Sequence, residues 1–149
     1  MLYFAYGSNL NHKQMEFRCK GSVFIKKYIL NDYDFCFSHV SKKNKYGHAN
    51  IFKSKGYSVP GAIWNISKLH ENALDKYEGV DYDYYKKEYL TINEKKVLVY
   101  IQNPFFKKTP NSTYFHIILE GYKNCKIDID FLKKKIKDYR INYKIDWQR

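Results

Sequence analysis

Three cysteines, Cys19, Cys36 and Cys125, are all that the chain carries. Their number is odd, they lie far apart, and no CxxC pair occurs. That leaves no disulfide framework and predicts reduced thiols, buried as small apolar groups, in a cytoplasmic protein. Long apolar runs are missing, so no segment is fit to cross a membrane as a helix. The N-terminal residues reach Tyr6-Gly7 too soon to hold the basic and apolar regions of a signal peptide. Arginine is scarce: Arg18, Arg140 and Arg149 leave lysine as 24 of the 27 basic residues. Nucleic-acid readers rely on arginine forks for bases and phosphates, so the composition argues against that class. His12, His39, His48, His70 and His116 lack metal-ligand spacing and read as structural or surface residues. No GxSxG turn occurs, so Ser8 is not read as a hydrolase nucleophile, and neither a phosphate loop nor a dinucleotide fingerprint is present. No internal repeat, low-complexity linker or second domain is visible.

What is present suits one domain spanning residues 1–149. Hydrophobic residues make up 44% and aromatics 19%, enough to build a core and to oppose disorder. The net charge is +12. Lysine keeps company here with abundant Asn, Ile and Tyr, the mark of a compositional bias acting on the whole chain. A positive surface would also draw in anionic small molecules.

The stretch Tyr3-Phe4-Ala5-Tyr6-Gly7-Ser8-Asn9-Leu10 organises the rest. Its apolar, aromatic start predicts a buried strand. Gly7-Ser8-Asn9 then breaks the strand, because Gly tolerates positive φ while Ser and Asn bond their own local backbone. A helix is predicted from about Asn11, its cap, to Phe17, with Met15 and Phe17 turned inward. A strand that ends in such a turn before a helix aims several N–H groups at one spot. That arrangement can hold an anion or a developing oxyanion, although plain strand-end punctuation has the same pattern.

Further along, loose alternation from Val23 to Phe37 predicts a long strand bent at Asn31-Asp32. Ser41 to Gly47 is a polar, lysine-rich loop. Two strands follow, His48–Phe52 and Ser58–Ile66, separated by Ser54-Lys55-Gly56, with Pro60 near the start of the second. Ser67 caps a helix whose buried face is Ile66, Leu69, Ala73, Leu74 and Tyr77, and Gly79 is its left-handed stop. The tyrosine-rich run Tyr82–Tyr89 leads into a strand. Asn93-Glu94-Lys95 turns it into the return strand Val97–Ile101. Asn103–Pro110 is a loop, and Thr113–Tyr122 a helix with Tyr114, Ile117, Ile118 and Gly121 on one side. The last helix is capped by Asp128 or Asp130. It buries Ile129, Leu132, Ile136 and Tyr139, and shows Lys133, Lys134, Lys135 and Lys137 largely to water.

Glu78 stands out chemically. A carboxylate in the last helical turn meets the negative end of the dipole, which disfavours its charge by roughly 0.3–1 kcal/mol in exposed cases. With Tyr77, Tyr82, Tyr84 and Tyr85 close in sequence, its pKa should rise toward the working range of a general acid/base, although an exposed helix-end residue with no task has the same pattern.

Two signatures in this order carry a family resemblance. Tyr6-Gly7-Ser8-Asn9-Leu10 resembles the N-terminal signature of the γ-glutamylcyclotransferase family. Leu74-Asp75-Lys76-Tyr77-Glu78-Gly79-Val80 resembles its second signature, in which a helix-end Glu before Gly is the catalytic acid/base. Gly61-Ala62-Ile63-Trp64 is similar to the family strand before that helix. Pro110-Asn111-Ser112-Thr113-Tyr114 and Tyr85 fall where the family places pocket tyrosines. The resemblance runs from Leu2 to about Gly121. It implies an α+β fold, a mostly antiparallel barrel-like sheet with surrounding helices. It also implies Glu78 as catalytic residue, and substrate binding by Tyr6, Gly7, Ser8, Asn9, Leu10, Tyr85 and Tyr114.

The activity implied is intramolecular aminolysis of a small γ-glutamyl substrate, releasing 5-oxoproline, with no metal or organic cofactor required. Relatives in the wider superfamily act on γ-glutamyl amines, glutathione or γ-glutamyl-protected intermediates, so the leaving group stays open. No nucleic-acid or membrane partner is expected, and a homodimer is compatible with the sequence. The rival from another class is a basic module that stacks single-stranded nucleic acid on its tyrosines.

Overall fold

The computed structural model describes residues 1–148. β1 (Leu2–Ala5) leads through a short 3-10 turn (Ser8–Leu10) into α1 (His12–Arg18). Two long strands follow, β2 (Val23–His39) and β3 (His48–Asn65), then α2 (Lys68–Tyr77). A second 3-10 turn (Val80–Tyr82) precedes the hairpin of β4 (Lys86–Ile92) and β5 (Lys95–Ile101). The short β6 (Phe106–Lys107), α3 (Ser112–Asn124) and α4 (Asp130–Ile136) complete the order.

The strands form one sheet in the order β4-β5-β1-β3-β2-β6. Every neighbouring pair is antiparallel except β1 with β5. The result is a half-barrel carrying four helices, as the α+β expectation required. Non-consecutive strands meet at β5-β1, β1-β3 and β2-β6; β1 lies between β5 and β3 and is buried through Tyr3, Phe4 and Ala5.

The bend predicted at Asn31-Asp32 is present: the β2–β3 register shifts between Asn31 and Tyr33, and Asp32 has φ 64°. Opposite it, the predicted break at Ser54-Gly56 does not occur. Gly56 takes φ +87° and donates its N–H to Asp32 Oδ1 at 3.1 Å, so a bulge absorbs the irregularity and β3 runs on as one strand. Pro60 accordingly lies within β3, not near a strand start. It is tolerated because β1 ends at Ala5 opposite Ala62, short of Pro60. In the β4–β5 turn Asn93 and Glu94 both have positive φ, which matches the twist of a tight hairpin. The loop predicted for Asn103–Pro110 contains β6, which extends the sheet beside the end of β2.

The helix faces depart further from expectation. Phe17, Leu69 and Tyr77 are exposed, whereas α1 buries Met15 and α2 buries Glu71 and Leu74. Glu71 is tolerated inside because Lys87 lies 2.6 Å and Lys68 3.0 Å from its carboxylate. α3 buries Phe115, Ile118, Leu119 and Tyr122. Gly121 lets it cross the first 3-10 turn closely, since a Cβ there would stand 2.6 Å from the Asn11 nitrogen. On α4 Leu132 and Ile136 face inward, but Lys135 is not on the solvated face: it forms an ion pair with Asp34 of β2. Asp128 accepts from the Asp130 N–H at 2.9 Å at the start of that helix. All three cysteines are buried and free.

Candidate active site

Local chemistry fixes where Glu78 stands. Ser67 and His70 close a capping box at the start of α2: the Ser67 side chain accepts from the His70 N–H at 3.2 Å, and the Ser67 N–H donates to His70 Nδ1 at 3.0 Å. At the other end Glu78 is the last right-handed residue, and Gly79 turns left-handed at φ 64°. The chain then doubles back. Tyr84 N–H donates to the Gly79 carbonyl at 3.1 Å and Tyr85 N–H to the Glu78 carbonyl at 3.2 Å. Glu78 and Tyr85 are thereby brought to one cavity, although six residues separate them.

The end of β1 reaches the same cavity. Gly7, Ser8 and Asn9 line it with Glu78, and Tyr3, Tyr6, Tyr100, Tyr114 and Ala49 complete the wall. The cavity is narrow, about 30 Å³. Gly7 is required by close approach, because a Cβ there would stand 2.7 Å from Ala49 Cβ.

Asn9, almost wholly buried, is the hub. Its Oδ1 accepts from Gln14 Nε2 at 3.0 Å and Arg18 Nη1 at 3.2 Å. Its Nδ2 donates to Tyr3 Oη at 2.9 Å and to Glu78 Oε1 at 3.3 Å. Ser8 Oγ accepts from the same Gln14 nitrogen at 2.7 Å, which ties the turn to α1.

The tyrosines are held by their hydroxyls. Tyr85 donates to the Ala49 carbonyl, and Tyr114 accepts from the Ala49 N–H at 2.8 Å. Tyr6 donates to the Tyr100 carbonyl at 2.5 Å, and Tyr100 to Asp75 Oδ1 at 2.7 Å. Burial raises the pKa of each of these phenols, so they are neutral donors or acceptors at ordinary pH.

Removal from water pushes the Glu78 carboxyl up from 4.5 to about 7; the Arg18 charge and the Asn9 hydrogen bond oppose that rise without cancelling it. A carboxyl poised there can take a proton and return it near neutrality. Tyr77 and Tyr82, expected beside Glu78, contribute nothing to this: both are exposed. Burial replaces them as the cause.

Of the residues expected to bind substrate, Tyr6, Gly7, Ser8, Asn9, Tyr85 and Tyr114 line the cavity with Glu78. Leu10 does not. It is fully buried in the core, and Cys125 Sγ donates to its carbonyl at 3.3 Å. The reason is the 3-10 turn, whose side chains leave in three directions, so Ser8, Asn9 and Leu10 cannot face one space. Tyr3, Gln14, Arg18, Ala49 and Tyr100 escaped sequence reasoning. Gln14 and Arg18 carried a usable signal, since residues four apart share a helix face.

The AIG2-like family model matches residues 58–134, from β3 to α4. A γ-glutamylcyclotransferase of Bos taurus is 31% identical over 142 residues, covering 89% of this chain and 76% of its own. The chain belongs to this family. The human γ-glutamylcyclotransferase is 30% identical over the same coverage. A solved γ-glutamyl cyclotransferase superposes with a TM-score of 0.80 at 26% identity, covering 98% of this chain and 92% of that one. The family's sheet and helices are thus present over nearly all of the chain.

Proposed function

We propose that this chain is a γ-glutamylcyclotransferase that releases 5-oxoproline from γ-glutamyl amino acids, with Glu78 as its acid/base. One observation carries the assignment: Glu78 Oε1 lies 3.3 Å from Asn9 Nδ2, and both open on the cavity formed where β1 ends. Bovine and human relatives bearing the name of this activity support it.

Glu78 takes a proton from the α-amino group of the substrate. That nitrogen attacks the γ-carbonyl carbon and closes a five-membered lactam. The bond from the γ-carbon to the leaving nitrogen then breaks, and Glu78 returns its proton to that nitrogen. Nothing is oxidised or reduced, and no water is consumed. The amides of Gly7, Ser8 and Asn9 face the substrate carboxylate or the oxygen that becomes negative as the amine attacks. Both reacting groups belong to one molecule, so holding it folded supplies much of the acceleration. Buried free thiols support a reducing compartment such as the cytoplasm.

A panel of γ-glutamyl amino acids, γ-glutamyl amines and glutathione, assayed by liquid chromatography, tests the proposal. Release of 5-oxoproline from at least one class is expected. No turnover of any member, together with tight salt-sensitive binding of single-stranded nucleic acid, would transfer the case to the basic-module rival.

A further inference from the structure

Asn9 stands between a cation and the proposed acid/base. Its oxygen faces only donors, Gln14 and Arg18, so its nitrogen is compelled to face Tyr3 and Glu78. Among the described residues Arg18 has no carboxylate within ion-pair distance. Its guanidinium is instead fixed over the Tyr77 ring, 4.3 Å from the centroid. The exposed Tyr77, at the end of α2, thereby holds the Arg18 side chain in place. A charge so placed is near Glu78 without touching it. A direct ion pair would lock Glu78 as a carboxylate, too weak a base for an acid/base near neutrality, whereas no cation at all would leave it protonated.

We propose that Arg18 is the positioning residue of this site: through the Asn9 carboxamide it orients the Glu78 carboxylate and tunes its basicity. The inference rests on Glu78 being the acid/base. The phenols facing Glu78 come from β1 and the turn after it (Tyr3, Tyr6), β5 (Tyr100), the β4 entry (Tyr84, Tyr85) and α3 (Tyr114), and burial keeps them all neutral. The remaining charges nearby, Glu71 and Asp75 of α2 and Lys87 of β4, are bound to one another. Cys19, beside Arg18 on α1, is held protonated by burial, with its pKa pushed up to about 11. Arg18 is therefore the cation that acts on Glu78.

The test is the pH profile of kcat/KM for the wild type, R18Q and R18K. Alongside it, the Glu78 carboxyl is titrated by carbon NMR in glutamate-labelled protein, its signal assigned with E78Q. R18Q keeps a donor for Asn9 but loses the charge. Its acidic limb and the Glu78 titration should both move to higher pH, lowering kcat/KM at pH 6 about tenfold. R18K keeps the charge but loses the planar stack on Tyr77, so its Glu78 titration and acidic limb should lie between those of the wild type and R18Q. Unmoved titrations in R18Q, or equal displacement in R18Q and R18K, would overturn the role of the charge. If R18Q fails to fold, R18K decides alone: a Glu78 titration displaced as far as burial without a cation would give is the overturning result. Full activity in E78Q would instead sink the acid/base assignment itself, whatever Arg18 does.

Discussion

Asn9 Nδ2 and Glu78 Oε1 meet at 3.3 Å across 69 positions of chain. The contact joins the turn after β1 to the end of α2, and so joins the two segments that carry the family signatures. It also gives Glu78 a donor that persists whether the carboxyl is ionised or not.

Replacing Glu78 by Gln keeps the shape and the Asn9 contact but removes the proton carrier. Release of 5-oxoproline should fall by roughly 10²–10⁴-fold in kcat, with the fold unchanged by circular dichroism. Activity near that of the wild type would falsify the role.

The same variant should alter stability with a definite sign. The Glu78 pKa in the fold, about 7, lies above its ordinary 4.5, so the folded state holds the proton longer than the unfolded chain. Wild-type stability is therefore complete below about 4.5 and declines as pH rises through about 7. E78Q lacks that loss. It should match the wild type at pH 4.5 and exceed it at pH 8.5 by on the order of 2–3 kcal/mol in urea titrations.

Gly7→Ala places a methyl group 2.7 Å from Ala49 Cβ. Ala49 is anchored in β3 by Tyr85 and Tyr114 and cannot withdraw. Overpacking of this kind costs about 1–3 kcal/mol, and the turn amides move with it. Thermal melts should show the loss of stability, and kinetics a raised KM together with a lowered kcat.

Tyr114→Phe leaves the Ala49 N–H without its phenol acceptor. An unsatisfied buried amide costs about 1–3 kcal/mol. Activity should fall less than in E78Q, because the acid/base survives. A double mutant with Tyr85→Phe should cost less than the two single variants together, since both phenols hold the backbone of one residue, Ala49. Strict additivity in denaturant titrations would argue against that shared clamp.

Lys87→Met strips the buried Glu71 carboxylate of its 2.6 Å partner. The exposed Lys68 remains, so the expected destabilisation is about 2–4 kcal/mol, below that of a wholly unpaired buried charge. Wild-type Glu71 is held below the usual carboxylate range chiefly by the Lys87 hydrogen bond. Its contribution is present above the ordinary pKa and is lost as pH falls through the lowered one. The difference between variant and wild type should therefore shrink on acidification, as read from melts between pH 7 and pH 3.

Much of the molecule was legible from short-range chemistry. Asn11, Ser67 and Asn111 stand at helix starts, and the first two were readable because their side chains satisfy amides two or three residues on. Gly79 marked the end of α2, and with it the place of Glu78, because a left-handed stop favours Gly. Long-range matters were not legible. Period and spacing mark which residues are apolar, not which face finds a partner, so Leu69 and Tyr77 were assigned inward although both are exposed. Ser54-Lys55-Gly56 read as a break because only β2, pairing from the far side of the bulge, carries β3 through it.

By itself the sequence determined the strand-turn-helix start, the Gly-stopped helix ending in Glu78, and the family these two signatures mark. Each rests on hydrogen bonds or φ preferences spanning a few residues. The tertiary structure decided that Leu10 leaves the site while Tyr3, Arg18 and Tyr100 join its walls or its wiring. It also decided that burial lifts the Glu78 pKa, with Tyr85 in the cavity wall and Tyr77 and Tyr82 exposed outside it. Exclusion of water and the meeting of distant side chains exist only once the sheet has closed over the cavity, so no local pattern encodes them.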